Sequence, residues 1–226
     1  MPVKLSPREA YRLWAPGWQS DPSAIVALES RFLSPWLTGL NGRVLVDVSC
    51  GTGRWLDFTR SHGAIVFGLD LCQEMLMEAR KTAGLSGRLA QADGLRLPLR
   101  DRSADLTLCA LSLAHMPPLE SAVSELARVV RSGGTLLISD FHPDATARGW
   151  KRTFRSGGVS YEIDTHAYSV EQLLECAERS GLRFEELIEP GFGEPEREIF
   201  ELAGKPELFE QVRGAPAVLV ARWTRP

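Results

Sequence analysis

The sequence predicts an α/β fold in which seven strands form a mostly parallel sheet with helices on both faces. Three observations carry this expectation. Short continuous apolar runs alternate with amphipathic stretches between Val44 and Asp140, the pattern of strands buried on both faces and joined by crossover helices. The run V-L-V-D-V-S-C-G-T-G-R-W, Val44 to Trp55, passes from an apolar strand through a glycine turn into residues that can begin a helix. The chain has 226 residues, 44% hydrophobic and 24% charged, which suits one domain over 1–226 with an ordinary core.

The elements follow in order. Ser6 to Trp14 reads as a helix, with Ser6 as cap and Pro7 at its first position. Ala15 to Pro22 reads as a loop, and Ser23 to Leu33 as a second helix with a rough apolar face. Residues 1–40 thus form a helical cover. Strands are expected at Val44 to Asp47, Ala64 to Asp70, Arg88 to Gln91, Ala104 to Leu111 and Thr135 to Asp140. Helices are expected at Arg54 to Ser61, at Gln73 to Ala83 and at Leu119 to Val130, the last stopped by Gly133-Gly134. Ala92 to Ser103 has room for no more than a short helix. Phe141 to Tyr168 is polar, aromatic and weakly patterned, too long for a plain connector, and reads as an inserted segment with a function. Ser169 to Ser180 is a helix with a capping box of Ser169 and Gln172. Arg183 to Ile188 and Ala217 to Trp223 are the last two strands, with a short helix near Pro206 to Val212 between them.

Bulk properties exclude several classes. The net charge is −3 and the pI about 5.9, which argues against wholesale binding to nucleic acid phosphates. The sequence has no run of eighteen apolar residues and its first ten residues lack the apolar core of a signal peptide, so neither a membrane span nor secretion is expected. Cys50, Cys72, Cys109 and Cys176 are too dispersed for a zinc site or a disulfide framework, and a reducing cytoplasm is the simplest setting. No metal cluster is visible.

Chemistry concentrates at the strand ends, where open parallel sheets bind ligands. The Gly51-Thr52-Gly53 turn lets a ligand approach the backbone. A dinucleotide fingerprint would put glycine at position 56, where this chain has Leu56. Asp47 precedes the turn and would repel a pyrophosphate but attract a cation. Asp70 ends the second strand, where a carboxylate commonly holds ribose hydroxyls, and Asp93 follows the third; the three are evenly spaced at 23 residues. Three such carboxylates suit a ligand with a ribose and an amine but no phosphate, which describes S-adenosylmethionine. Taken singly, Asp47 and Asp70 are equally readable as caps of the turns that follow them.

With these motifs the chain resembles the class I S-adenosylmethionine-dependent methyltransferases, in particular their type 11 small-molecule group. The resemblance rests on Val44 to Trp55, on G-L-D-L-C-Q-E-M-L (Gly68 to Leu76) and on Q-A-D-G-L-R-L-P-L-R-D-R-S-A-D-L (Gln91 to Leu106). It continues through L-S-L-A-H-M (Leu111 to Met116) and E-L-A-R-V-V-R-S-G-G-T-L-L-I-S-D (Glu125 to Asp140). One departure is Ser49, where the family usually has glycine. The resemblance implies a Rossmann-like sheet whose last strand inserts antiparallel. It implies that Asp47 and the loop of Ser49, Cys50, Gly51 and Gly53 hold the methionine part of the cofactor. Asp70 would hold the ribose, Leu71 and Met75 would flank the adenine, Asp93 with Gly94 would meet its amino group, and Leu111 would lie near the sulfonium.

Methyl transfer from a sulfonium is an in-line displacement, so alignment supplies most of the catalysis. A general base is needed where the acceptor arrives protonated. His115 and His142, after the fourth and fifth strands, are the candidates; the plainer readings are a structural histidine and a His-Pro turn. Arg152, Arg155, Tyr161 and His166 in segment 141–168 would form a lid over a ring-bearing or anionic small-molecule acceptor. Tyr11, Trp14 and Trp18 would add a second cover or simply pack the terminal helix. Three rival readings are a nicotinamide-dependent oxidoreductase, a nucleic acid or protein methyltransferase, and a cofactor-binding protein without transferase activity. Asp47 and the missing third glycine oppose the first, and the sequence A-L-S-L after the fourth strand, in place of an N/D-P-P-Y/F signature, opposes the second.

Overall fold

A computed structural model of the chain describes residues 2–18 and 22–226. The strands are β1 (Val3–Leu5), β2 (Val44–Val48), β3 (Ile65–Asp70), β4 (Leu89–Gln91), β5 (Ala104–Ala110), β6 (Val130–Phe141), β7 (Thr153–Ser156), β8 (Val159–Ile163), β9 (Arg183–Ile188) and β10 (Val218–Thr224). The helices are α1 (Pro7–Trp14), α2 (Ala24–Leu33), α3 (Arg54–Ser61), α4 (Gln73–Ala79), α5 (Leu119–Val129), α6 (Pro143–Ala147), α7 (Val170–Arg179), α8 (Glu194–Leu202) and α9 (Pro206–Val212).

Seven strands form one sheet in the order β4-β3-β2-β5-β6-β10-β9. Strands β4, β3, β2, β5 and β6 run parallel, and β10 is antiparallel to both β6 and β9. This is the Rossmann-like α/β sheet expected from the sequence, with the last strand inverted. Each face buries its own core. One core packs α5 and α7 on Val46, Val48, Ile138 and Leu219; the other packs α2, α3, α8 and α9 on Leu45, Val66, Leu137 and Val218. Side chains alternate across a strand, so neighbours such as Leu45 and Val46 enter opposite cores.

Four expectations are corrected. Gly133-Gly134 does not separate helix from strand: α5 ends at Val129 and β6 runs on from Val130. The register between β5 and β6 jumps there, from Ala104↔Val130 to Leu106↔Thr135, so the glycines sit in a bulge that one longer strand absorbs. Helix α4 stops at Ala79, four residues early, because Lys81 and Thr82 N–H turn back to the carbonyls of Glu78 and Ala79. The loop expected over Ala15 to Pro22 opens with a 3₁₀ turn, Ala15–Gly17, and its positions 19–21 lie outside the described residues. Segment 141–168 is not irregular. It holds α6 and a hairpin of β7 and β8, which turns at Gly157 (φ 57°) and Gly158 (φ 79°), the two left-handed residues that a tight hairpin requires. Strand β1 adds to it in parallel, Val3↔Tyr161 through Leu5↔Ile163, giving a second, three-stranded sheet.

A run of three stacked aromatic rings, one from α1 and two from the small sheet, fixes that sheet to α1. Trp14 stacks on Phe154 (centroids 4.7 Å apart, planes at 9°) and Phe154 on Tyr161 (5.2 Å, 22°). The N-terminal cover and the inserted hairpin are thereby one packed unit beside the strand ends. The unexpected helix α8 is anchored by Glu196, whose carboxylate takes the Gly193 N–H at 2.9 Å and pairs with Arg31 of α2 through two bonds of 3.0 Å.

The approach of α3 to β3 depends on Gly68. A Cβ there would lie 2.4 Å from Leu56 Cδ1 and 2.8 Å from Cys50 Sγ. Gly68→Ala is expected to destabilise the fold by about 1–3 kcal/mol through overpacking, seen as a fall in Tm of roughly 3–10 °C. An unchanged Tm would contradict this packing.

Candidate active site

The carboxyl ends of β2, β3 and β5 open on a cavity of about 290 Å³. Asp47, Ser49, Cys50, Gly51, Asp70, Leu71, Met75, Asp93, Gly94 and Leu111 all line it, as do Tyr11, Trp18 and His115. Gly53 does not. It begins α3 at φ 80°, and a Cβ on it would meet Leu85 Cδ1 at 2.8 Å, so its role is to admit the turn. Arg8, Trp55, Cys72 and Met116 are among the further wall residues that the sequence did not single out for the site.

Local backbone positions these groups. Ser49 has φ 60° and Leu111 φ 53°. Both are left-handed, which non-glycine residues adopt only under constraint. The conformation at Ser49 explains why glycine is usual there, and its hydroxyl points to Met116 Sδ at 3.8 Å. Leu111 is held by its N–H to Ser139 O at 2.8 Å and by Arg152, which donates to its carbonyl.

The carboxylates differ in what the fold gives them. Asp70 Oδ2 accepts the Gly51 N–H and Oδ1 the Cys72 N–H, each at 2.8 Å; burial still raises its carboxyl above the usual range. Each oxygen keeps a lone pair for a further donor. Asp93 is exposed, with Oδ1 on the Leu95 N–H at 2.9 Å. Asp47 is 2% exposed and its Oδ1 has no hydrogen-bond partner. Burial raises its carboxyl well above the usual range, Arg54 opposes the rise, and the charges of Asp70 and Glu29 add to it. An unpartnered buried carboxylate beside a cavity fits a ligand bearing a cationic amine.

A second cavity, of about 440 Å³, adjoins the first and shares Tyr11, Trp18 and Leu111 with it. Its wall is mainly aromatic and aliphatic: Trp14, Ile25, Val26, Phe141, Trp150, Phe192, Phe200, Leu208 and Val212. Lys151 and Arg152 reach it too, but Lys151 Nζ lies 2.9 and 2.8 Å from the carboxylate of Glu162, and Arg152 is buried against Asp140. A third cavity, of about 500 Å³, lies beyond Arg152 and Trp150 and includes His166 and Tyr168.

His115 lines the first cavity. Its Nε2 is 3.1 Å from Tyr11 Oη and 3.4 Å from an Arg152 amino group, and Nδ1 is 3.2 Å from Asp164 O. Burial, and then the charge of Arg152, lower its pKa to about 4. It is neutral at physiological pH. His142 is corrected: it does not face the cleft. It is 3% exposed, with Nε2 2.8 Å from Glu189 and Nδ1 accepting the Asp144 N–H at 3.1 Å, and so caps α6. Arg155 is exposed on β7 and lines none of these cavities. Tyr161 is occupied by its stack on Phe154. His166 is exposed, in the third cavity.

Comparison with known proteins agrees with this geometry. Residues 46–138 match a family model described as a methyltransferase domain. The chain is 30% identical over 141 residues to the O-methyltransferase resE of Aspergillus sclerotiorum, covering 57% of this chain and 53% of that one. It is 35% identical over 138 residues to the methyltransferase GfsG of Streptomyces halstedii, covering 55% and 49%. The chain thus spans about half the length of these curated relatives. A crystal structure of an S-adenosylmethionine-dependent methyltransferase from Mesorhizobium loti superposes with a TM-score of 0.70 at 25% identity, over 90% of this chain and all of that one.

Two outcomes follow from the charges. Asp47→Asn removes a buried, unmatched carboxylate. An unfolded Asp47 ionises near 3.8, whereas the native one ionises at higher pH, so the native state loses stability as pH rises through that window. The variant is therefore expected to be more stable than the parent at neutral pH, by about 1 kcal/mol or 2–4 °C in Tm, with no gain below pH about 4. Thermal denaturation across pH checks it. Arg152→Met strands the buried Asp140 and is expected to cost about 3–5 kcal/mol, with part recovered by adding Asp140→Asn; denaturant titration of both variants decides.

Proposed function

We propose that this chain is a class I S-adenosylmethionine-dependent methyltransferase that transfers a methyl group to a small-molecule acceptor held in the second cavity. The observation that carries this reading is the unpartnered carboxylate oxygen of Asp47, buried at the wall of a cavity that Asp70 also lines. Relatives named as methyltransferases support it.

The bound cofactor supplies an activated methyl on a sulfonium leaving group. Asp47 would hold its amino group, Asp70 its two ribose hydroxyls, and Leu71, Met75 and Asp93 its base. Leu111, in the wall common to both cavities, marks where the reacting groups meet. Tyr11 and Trp18, common to both as well, narrow that junction and keep water from it. Holding donor and acceptor in line can contribute about 7–11 kcal/mol against a dilute bimolecular reaction.

The second cavity's lining favours a neutral, ring-bearing acceptor. Its two cations are each matched by a carboxylate, Lys151 by Glu162 and Arg152 by Asp140, so among the described residues its wall offers no unmatched cation to an anion. The hairpin of β7 and β8 with α1 acts as its lid. The acidic net charge supports a small molecule over a nucleic acid. Four buried, unbridged cysteines support a reducing, cytoplasmic setting, and among the described residues no helix is long and apolar enough to cross a membrane.

Calorimetry tests the reading. S-adenosylmethionine and S-adenosylhomocysteine should both bind, and Asp70→Ala should weaken each by roughly 10–150-fold, the worth of about 1.5–3 kcal/mol in charged hydrogen bonds. Because Asp47 must be ionised to pair with an amine and burial raises its carboxyl, affinity should rise with pH, and at the acid end of the range binding should release a proton, measured from the heats in buffers of different ionisation enthalpy. No heat with either ligand, or an Asp70→Ala protein that binds as tightly as the parent, would overturn the assignment.

A further inference from the structure

We propose that Tyr11 and His115 form a proton relay that fits the site to an un-ionised hydroxyl acceptor. Tyr11 Oη takes the acceptor's hydrogen bond, and His115 Nε2 stands behind it to receive a proton. The inference rests on the function proposed above and adds to it the acceptor atom, oxygen, and the path of its proton.

Geometry fixes the direction of the relay. Asp164 O can only accept, so the His115 ring carries its hydrogen at Nδ1, 3.2 Å away, and Nε2 holds a lone pair. The Tyr11 hydroxyl, 3.1 Å from Nε2, therefore donates to it. The Arg152 guanidinium donates to one lone pair of Tyr11 Oη; the other remains, and Tyr11 lines both cavities. At the junction the protein thus offers a hydrogen-bond acceptor, suited to an O–H or N–H on the ligand.

Proton balance chooses between those two. When a neutral hydroxyl attacks, an oxygen lone pair forms the new C–O bond while the C–S bond breaks and its electron pair goes to sulfur. The product at that instant is a protonated ether, a very strong acid. It passes its proton to Tyr11 Oη as Tyr11 passes its own to Nε2. The sulfonium charge has vanished, so a proton on Nε2 leaves the total charge of the site unchanged; it then leaves to solvent. The groups facing His115 are Tyr11 from α1, Asp140 from β6, Arg152 before β7, and the Asp164 carbonyl and His166 after β8. Burial and Arg152 hold the ring at about 4. So weak a base leaves a free phenol or an ammonium protonated, yet takes a proton readily from a protonated ether. An aliphatic amine acceptor ends as an ammonium that keeps its proton, and an arylamine ends as an arylammonium that gives its proton to water after the transfer, so with either the relay would stand idle. Tyr11 itself is pushed up by burial and stays a phenol, able to give one proton and take another.

The probes are 2-naphthol and 2-naphthylamine, neutral fused rings of the same shape, with methyl transfer followed from labelled S-adenosylmethionine. The parent protein is expected to methylate 2-naphthol, and Tyr11→Phe to lower the ratio of 2-naphthol to 2-naphthylamine turnover at least tenfold. His115→Gln separates a relay from a mere anchor. Its carbonyl can accept the Tyr11 hydrogen bond but cannot hold a proton, so it should be as slow with 2-naphthol as His115→Ala. Restoration of 2-naphthol turnover by glutamine, an unchanged ratio in Tyr11→Phe, or no transfer to 2-naphthol by parent protein that binds S-adenosylhomocysteine would each overturn the relay. Failure to bind S-adenosylhomocysteine at all would instead overturn the function on which it rests. Nitrogen-15 resonances of the His115 ring give a check independent of turnover: they should report the neutral Nδ1–H form from pH 5.5 to 8, and the Nε2–H form would contradict the proposal.

Discussion

Asp140 lies one residue before the end of β6 with 1% of its surface exposed, and a lone charge at that depth would cost several kcal/mol. Four donors meet it. Phe141 N–H and the Arg152 guanidinium reach Oδ1, and Ala114 N–H and the Tyr168 hydroxyl reach Oδ2. They come from β6 itself, from the turn after β5, from the strand-like lead into β7 and from the approach to α7. One carboxylate therefore ties the inserted hairpin to the sheet. Arg152 also grips the Leu111 carbonyl and stands beside His115, while its guanidinium carbon lies 4.3 Å from the centroid of the Phe141 ring. Loss of this pair would loosen the left-handed turn at Leu111 and the wall between the cavities together.

The same residue type at other strand ends has a different fate. Asp140 has every lone pair engaged and belongs to the architecture. Asp70 is half satisfied by two backbone N–H groups, which hold its plane and leave room for two more donors. Asp47 keeps an oxygen with no partner in a place that water scarcely reaches. A fold tolerates such a carboxylate when a ligand completes it, and the energy withheld in the empty state becomes affinity for a cation. The gradation from Asp140 to Asp47 distinguishes scaffold from site without reference to any relative.

How much of this was legible in the sequence depends on how local each signal is. Strands β2 to β6 and their helices were readable because each apolar run ends in its own turn residues, and the place of the first cavity followed from Asp47, Asp70 and the glycine turn. The left-handed backbone at Ser49 was visible only as a departure from glycine. The hairpin of β7 and β8 had a local signal in Ser156-Gly157-Gly158-Val159, flanked by alternating strand residues, and the segment's charges obscured it. Pro195 followed by Ile199 and Phe200 likewise marked α8. The pairing of β1 with β8 joins residues some 158 positions apart, and the burial of Arg152 against Asp140 is a tertiary choice; neither can be read from a window. His142 misled because its place after β6 suggested the cleft, whereas Glu189 and the Asp144 N–H draw its ring away.

The two cavities divide the chain in a way that accounts for this. Most of the first cavity's wall lies within residues 46–138, the part that matches the methyltransferase domain, with only Pro7, Arg8, Tyr11 and Trp18 from outside. Among the described residues of the second cavity's wall, Leu111 alone comes from that part; the rest lie between Tyr11 and Val26, between Phe141 and Thr153, and between Phe192 and Val212. A ligand common to many proteins needs a wall built from contiguous strand ends, where motif and geometry coincide. An acceptor particular to one protein can be recognised by segments far apart in sequence, provided that something holds them to the sheet. Here the aromatic stack of Trp14, Phe154 and Tyr161 and the Arg152–Asp140 pair do so. Residues of the second wall can therefore change without disturbing the first, and Tyr11, Trp18 and Leu111, which belong to both, are where the two cavities are coupled.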